Sequence, residues 1–281
     1  MKIILAPTDF SNQAEYALRA AAGIAEKAKA LLIVLHVIEE PSDASYSIDG
    51  EYIPEEYESY LSTVQILKVR QRQLQELSEQ DFLKNINTKF ELKIGNSFHG
   101  ITSIILEHKV DLVVMGTTGH NRGDVFLGSV TNKVIRHARC PVLTLHQWPL
   151  YVDYKNIVYA TSLYEGEESF SRIVRTAQHL YEGTVHLVRV NTPAHFVPDH
   201  VAKKQLHAFA RQHQFQNFTV NVFSDLTEEE GIMHFADEVN AGMIAIATHG
   251  RSSLFHLLSG SISKEVVNHS KRPVLTFLVE H

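Results

Sequence analysis

The residues best placed to hold a ligand lie in one stretch, "GTTGHNRGDVFLGS", Gly116 to Ser129. It follows the apolar run "DLVVM" and precedes "VTNKVIRHA", so the glycines join the C-terminal end of a buried strand to the start of a helix. The first N–H groups of a helix have no intrahelical partners and carry about half a positive charge between them, which suits phosphate. Gly116 and Gly119 would let the backbone approach an anion closely and take positive φ, and Ser129 would add a hydroxyl donor. Across from them, "PTDFS" at the end of the first strand supplies Asp9, a carboxylate able to accept from a ribose or base. The other reading of Asp9 is an N-terminal cap for the next helix.

Competing chemistries are absent from these loops. No Lys follows the glycines as in a P-loop, and no G-x-G-x-x-G follows the first strand. The first turn also lacks the His-x-Gly-His pair of nucleotidyl transferases. No Ser/His/Asp or Cys/His grouping offers a nucleophile with its base, so no catalytic residue is assigned. Of the 17 histidines, His186, His195, His200 and His207 are spaced unlike any common zinc pattern and have no Cys beside them, so no metal site is assigned. His120 and His249 fall one in each glycine loop, where an imidazole could touch phosphate. "KVRQRQ", Lys68 to Gln73, reads as a solvated helix face, and Cys140 as a small packed hydrophobe.

Elements that could position such residues alternate along the chain. "KIILAP" and "LLIVLHVI" are strand-like and flank a helix-forming stretch, which is a βαβ unit and implies a parallel sheet. A helix from about Glu56 to Lys84, "KFELKI", a helix "FHGITSIILEHK", "DLVVMG", a helix from Ser129 and "PVLTLH" complete the series. It then repeats, with helices from about Glu165, from Thr227 and from Ser261, and Thr227 with Glu230 is spaced as a capping box. "GSVTNKVIRHARCPVLTL" matches "GSISKEVVNHSKRPVLTF", with Gly128 to Gly260 and Pro141 to Pro273 both offset by 132 residues. The 281 residues therefore divide into copies at 1–147 and 153–281, joined near Trp148-Pro149. Copy one is longer, with an acidic, Tyr-containing insert at about 40–60.

The composition is that of an ordinary soluble globular protein, 44% hydrophobic and 21% charged, without 18 consecutive apolar residues to cross a bilayer. A formal net charge of −6 gives no broad field for nucleic acid. One Cys and an N-terminus that reads as a first strand rather than a signal peptide favour the cytoplasm.

Strand context, the "PTDFS" turn, the glycine loop and the closing "CPVL" and "RPVL" strands together resemble the universal stress protein family in its tandem form, over nearly the whole chain. The resemblance implies an α/β fold of two doubly wound, five-stranded parallel-sheet domains, Rossmann-like and akin to the adenine nucleotide alpha hydrolases. In one subgroup such domains bind ATP and pair through their last strands. Carried over by position, nucleotide binding falls on Pro7, Thr8, Asp9, Val37, Gly116, Gly119, Gly128, Ser129 and Val130. The ligand would be ATP, or ADP or AMP, one per chain, with Mg²⁺ able to accompany it.

The two copies depart from the family pattern in different ways. In copy one the spacer "HNRGDVFL" has eight residues where the family has nine. Copy two keeps nine but has Ala247 for the first glycine and Thr161-Ser162 for Thr8-Asp9, so it is expected to bind nucleotide weakly or not at all. The expected function is a cytoplasmic stress-response protein whose N-terminal copy binds an adenine nucleotide as a regulatory ligand, with slow hydrolysis compatible. The alternative is a nucleotide-independent interaction or chaperone-like protein. Pro141–His146 against Pro273–Leu278 would make an internal pseudo-dimer, and a further homodimer is compatible with it.

Overall fold

The computed structural model describes residues 1–39, 56–117, 127–146, 153–161, 163, 165–249 and 259–279. Gly119 and His120, the first part of the acidic insert, the Trp148-Pro149 join, Ser162 and most of the copy-two spacer lie outside them.

Copy one runs β1 (Ile3–Pro7), α1 (Asn12–Ala28), β2 (Leu31–Ile38), α2 (Glu56–Ser78), β3 (Thr88–Ile94), α3 (Ser97–His108), β4 (Leu112–Gly116), α4 (Ser129–His137) and β5 (Val142–Leu145). Copy two runs β6 (Asn156–Ala160), α5 (Glu168–Tyr181), β7 (Thr184–Asn191), α6 (Asp199–Gln212), β8 (Phe218–Ser224), α7 (Glu228–Glu238), β9 (Met243–His249), α8 (Ser259–His269) and β10 (Val274–Val279).

All ten strands form one sheet in the order β3-β2-β1-β4-β5-β10-β9-β6-β7-β8. Every pairing is parallel except β5 with β10, which is antiparallel. Side chains alternate across a strand, and here both faces are covered, so the central strands are largely apolar. Ile4, Ala6, Leu32 and Val34 join a core beneath α1, α5 and α6. Leu5, Ile33, Leu35 and Val113 join the other, beneath α3, α4, α7 and α8. Fully buried Ala17, Ala20 and Ala21 let α1 lie close on the sheet.

Three helix limits differ from the sequence reading. The long helix ends at Ser78, because Gln80 is extended and a 3-10 turn, Asp81–Leu83, drops Leu83 into the core. The helix expected from Glu165 opens as a 3-10 turn, Glu165–Glu167, before α5. The helix expected from Ser261 begins at Ser259. The Thr227–Glu230 pair does cap α7, although Glu230 accepts from the Thr227 hydroxyl at 3.1 Å rather than from its backbone.

At the junction Leu143 faces Leu275, flanked by two buried threonines. Thr144 Oγ1 donates to Val274 O and Thr276 Oγ1 to Val142 O, both at 3.2 Å, so each last strand is held by a hydroxyl of the other. Thr144→Val or Thr276→Val should each cost about 1 kcal/mol in urea denaturation. Thr276→Lys, which buries an unpaired ammonium at 0% exposure, should split the unfolding of the full chain into two transitions.

Candidate functional site

With β1 and β4 adjacent and their helices leaving on opposite faces, the strand order reverses between them, and the C-terminal ends of these strands border a crevice. The turn after β1 forms one wall. Thr8 N–H extends the pairing with β2 by donating to Leu35 O at 2.8 Å, and Thr8 Oγ1 then accepts from Phe10 N–H at 3.1 Å. Phe10 adopts φ 63°, unusual for a side-chain-bearing residue, and the Thr8 hydroxyl is one of the groups that holds it there. Asp9 is exposed and accepts Ser11 N–H at 3.0 Å, which takes one of the roughly four acceptor positions of a carboxylate.

The helix cap is Ser11, whose Oγ accepts Ala14 N–H at 3.2 Å, so the capping alternative for Asp9 does not hold. Beneath the turn, His36 Nδ1 lies 2.7 Å from Thr8 O and must carry the proton it donates there. Its ring stacks at 4.6 Å on Phe10, over which the Arg70 guanidinium sits at 5.7 Å. Arg70 is thus half-buried against the turn, unlike its exposed neighbours Lys68 and Arg72, and "KVRQRQ" is not wholly a solvated face.

Val37 closes β2 on the opposite face, half-buried against α3, where a Cβ on Gly100 would come within 2.8 Å of Val37 Cγ2. The same pair recurs in copy two as Gly231 and Val190 at 2.5 Å. "HGI" and "EGI" carried that signal in the sequence, and it was missed.

The other wall is built from β4 and α4. Gly116 ends β4, and a Cβ there would stand 2.9 Å from Gln13 Cβ and 3.0 Å from Gln13 C, so its first task is to admit the opening turn of α1. Positive φ is not the reason for Gly116: among the described glycines only Gly95 has it. Gly116 O accepts from Thr131 Oγ1 at 3.0 Å, tying α4 back to the strand.

Thr117, which the sequence did not single out, anchors the loop at its base. Its N–H donates to Leu145 O at 3.0 Å, its carbonyl accepts Gly128 N–H at 2.7 Å, and its hydroxyl pairs with His146 Nδ1 at 2.9 Å. Gly128 is the N-cap of α4 and contributes no side-chain cap, in contrast to Ser11 of α1, Asn96 of α3 and Thr227 of α7. Ser129 is exposed in the first turn, with Val130 half-buried beside it. Leu127 N–H donates to Asn268 Oδ1 at 3.2 Å, so α8 of copy two steadies the glycine loop of copy one. Of the nine expected binding residues, Gly119 lies outside the described residues; Pro7, Thr8, Asp9 and Val37 gather at the ends of β1 and β2, and Gly116, Gly128, Ser129 and Val130 at the end of β4 and start of α4.

Copy two repeats the first turn and then diverges. Leu163 has φ 62° and donates to Thr161 Oγ1 at 2.9 Å, as Phe10 does to Thr8. Here, however, the Thr161 hydroxyl donates to the carboxylate of Glu167, 0% exposed, at 2.8 Å, and Tyr159 OH donates to the same oxygen at 2.7 Å. Copy one has Ala14 at the Glu167 position and Ala6 at that of Tyr159. Ala247, 6% exposed, takes the place of Gly116.

Three described histidines of copy two are engaged locally: His186 with Thr219 and Asn156, His195 with Glu228, and His234 with Asp225. Among the described residues no three His, Cys, Asp or Glu side chains cluster to hold a metal.

Burial is the main cause holding His36 below its ordinary 6.5; the Thr8 carbonyl opposes it, Arg70 adds to it and Asp9 opposes it. The unfolded chain therefore takes up the proton first, and stability falls as pH drops through 6.5, levelling off below the folded-state value. His186 and His213 are lowered in the same direction by burial. His36→Gln, which keeps a donor for Thr8 O, should remove part of the stability lost between urea titrations above and below pH 6.5. Gly116→Ala should cost about 1–3 kcal/mol in the same assay without any ligand, because the Gln13 backbone must shift.

Residues 1–146 and 153–277 each match the model of the universal stress protein family. A Staphylococcus aureus (strain USA300) protein bearing that family's name is 29% identical over 170 residues, 58% of this chain and 95% of its own. The crystal structure of a universal stress protein from Archaeoglobus fulgidus DSM 4304 aligns with a TM-score of 0.72 at 17% identity, over 99% of this chain and 98% of its own. A Pseudomonas aeruginosa UCBPP-PA14 structure carrying the same family name aligns at 0.63 and 15%, over 99% and 93%. At those identities the likeness to the two structures is one of fold.

Proposed function

Since the chain belongs to the universal stress protein family, we propose that its N-terminal copy, residues 1–147, binds ATP or a related adenine nucleotide as a regulatory ligand in a cytoplasmic stress response. The C-terminal copy, residues 153–281, serves as its structural partner. The observation that carries this reading is the α4 N-terminus, capped by Gly128 without a side chain, across the crevice from the Asp9 turn. The N–H groups of Ser129 and Val130, with the Ser129 hydroxyl and the helix dipole, suit the phosphates. Asp9, Pro7, Thr8 and Val37 suit the ribose and base, with Gly116 at the end of β4 beside them; Gly119, the remaining expected residue, lies outside the described residues.

In copy two the corresponding turn is tied to a buried carboxylate. Glu167 takes the Thr161 hydroxyl, and no carboxylate replaces Asp9. One nucleotide per chain follows, with Mg²⁺ accompanying its phosphates. The nucleotide would act by occupancy, with any hydrolysis slow.

The test is to denature the purified chain and identify released nucleotide by chromatography and mass, then to titrate ATP by calorimetry. About one equivalent is expected. Asp9→Ala should weaken binding roughly tenfold or more, as loss of hydrogen bonds to a charged group does, while leaving the ligand-free melting temperature nearly unchanged. An empty chain that also fails to take up ATP, ADP or AMP would overturn the reading and leave a nucleotide-independent interaction protein, for which the eight-residue spacer between Gly119 and Gly128 would be the mark of a lost site.

A further inference from the structure

The glycine loop of copy one rests on two supports where it meets α4, and one of them comes from the other copy. Leu127, the residue before the Gly128 cap, packs its side chain against the core beneath α3 and α4, while its N–H donates to Asn268 Oδ1 of α8 at 3.2 Å. Asn268 stands on a fixed element, because it follows Val266 and Val267, 0% and 2% exposed, in a helix packed on the sheet. The other support is Thr117, whose carbonyl accepts the Gly128 N–H at 2.7 Å and whose hydroxyl pairs with His146 Nδ1 at 2.9 Å.

The corresponding residues cannot support copy two in return. Arg136 matches Asn268 in the repeat; it is exposed, and its guanidinium offers only donors, so it cannot receive a backbone N–H. Leu278 stands where copy one has His146. Thr248 Oγ1, the counterpart of the Thr117 hydroxyl, is buried without a hydrogen-bond partner among the described residues. The support therefore runs one way, from copy two to the loop of copy one.

Its consequence is one of direction. The N–H groups of Ser129, Val130 and Thr131 have no acceptor within α4, and Gly128 adds no side chain to fix them. Where they aim depends on the two residues before them, Leu127 and Gly128, which Asn268 and Thr117 hold. Groups that meet a ligand must be held to within about 0.5 Å, and that precision comes from supporting hydrogen bonds on rigid elements. We infer that Asn268 is a positioning residue for the phosphate end of the nucleotide site, so that copy two sets the affinity of copy one without touching the ligand. This deepens the nucleotide reading and rests on it.

Asn268→Leu, close in size, and Asn268→Ala, smaller, both remove the acceptor from the full chain, and the second guards against overpacking in the first. ATP titrated by calorimetry should bind each roughly three- to tenfold more weakly, the worth of one hydrogen bond. The ligand-free melting temperature should fall by no more than about 4 °C. Hydrogen exchange at the Leu127 amide should speed up in both variants and stay slow in Asn268→Asp, which keeps an acceptor. Because linkage is reciprocal, ATP should slow exchange of the same amide in the parent. Unchanged ATP affinity in both variants, a Leu127 amide indifferent to the substitutions or to ATP, or an affinity loss seen only with a larger fall in melting temperature would each overturn the inference and leave the nucleotide reading standing. A parent chain that takes up no ATP, ADP or AMP overturns that reading and this inference with it.

Discussion

The antiparallel pairing of β5 with β10 is the contact on which the rest of the molecule depends. Each copy alone would present a buried-type strand at its edge, and an open apolar edge invites pairing with any other chain. Here each closes the other, and the buried hydroxyls of Thr144 and Thr276 reach across to carbonyls of the opposite strand. The outer edges are then β3 and β8, whose side chains are partly exposed and include Lys89, Glu91 and Lys93 on one and Thr219 and Asn221 on the other. The same pairing brings Asn268 to the glycine loop.

Within that shared frame the copies have solved one packing problem with different residues. In copy one the opening turn of α1 crowds the end of β4, and Gly116 yields to Gln13. At the corresponding positions copy two has Ala247 and Gly166, so the missing side chain has moved from strand to helix. The polar interior moved as well. A buried carboxylate is tolerable only where donors meet it, and Glu167 has the hydroxyls of Tyr159 and Thr161. That arrangement spends the Thr161 hydroxyl on a buried carboxylate, while copy one has Ala14 at the Glu167 position and keeps Asp9 exposed.

Much of this was legible in the sequence, because it rests on local and repeated patterns. Apolar runs at two periods, paired "PVLT" strands and a repeated Gly-Ser were enough for the alternating α/β order and the doubling. What escaped depended on contacts between distant segments. The sequence left Asp9 open between ligand contact and cap of α1, and Ser11, which does cap it, is followed three residues later by Ala14 rather than by the Glu or Gln of a capping box. A Gly116 that serves a neighbouring helix looks, in sequence, the same as one that serves a ligand. His36 and Arg70 gave no sign that they would meet around Phe10, because one lies within a strand and the other sits in a helix that only the fold lays beside it. The break between Ser78 and Asp81 likewise follows from where Leu83 is buried.

The hydrogen bond from Leu127 to Asn268 sets the two halves of the chain apart from an ordinary symmetric pair. A symmetric dimer of single copies can exchange subunits, and any alteration appears on both sides of its axis. Here one half carries the exposed carboxylate and the glycine loop, and the other supplies the amide that steadies that loop. The two halves therefore contribute different groups to the same corner of the molecule. Neither half on its own would retain both Leu127 and the amide oxygen that receives its N–H.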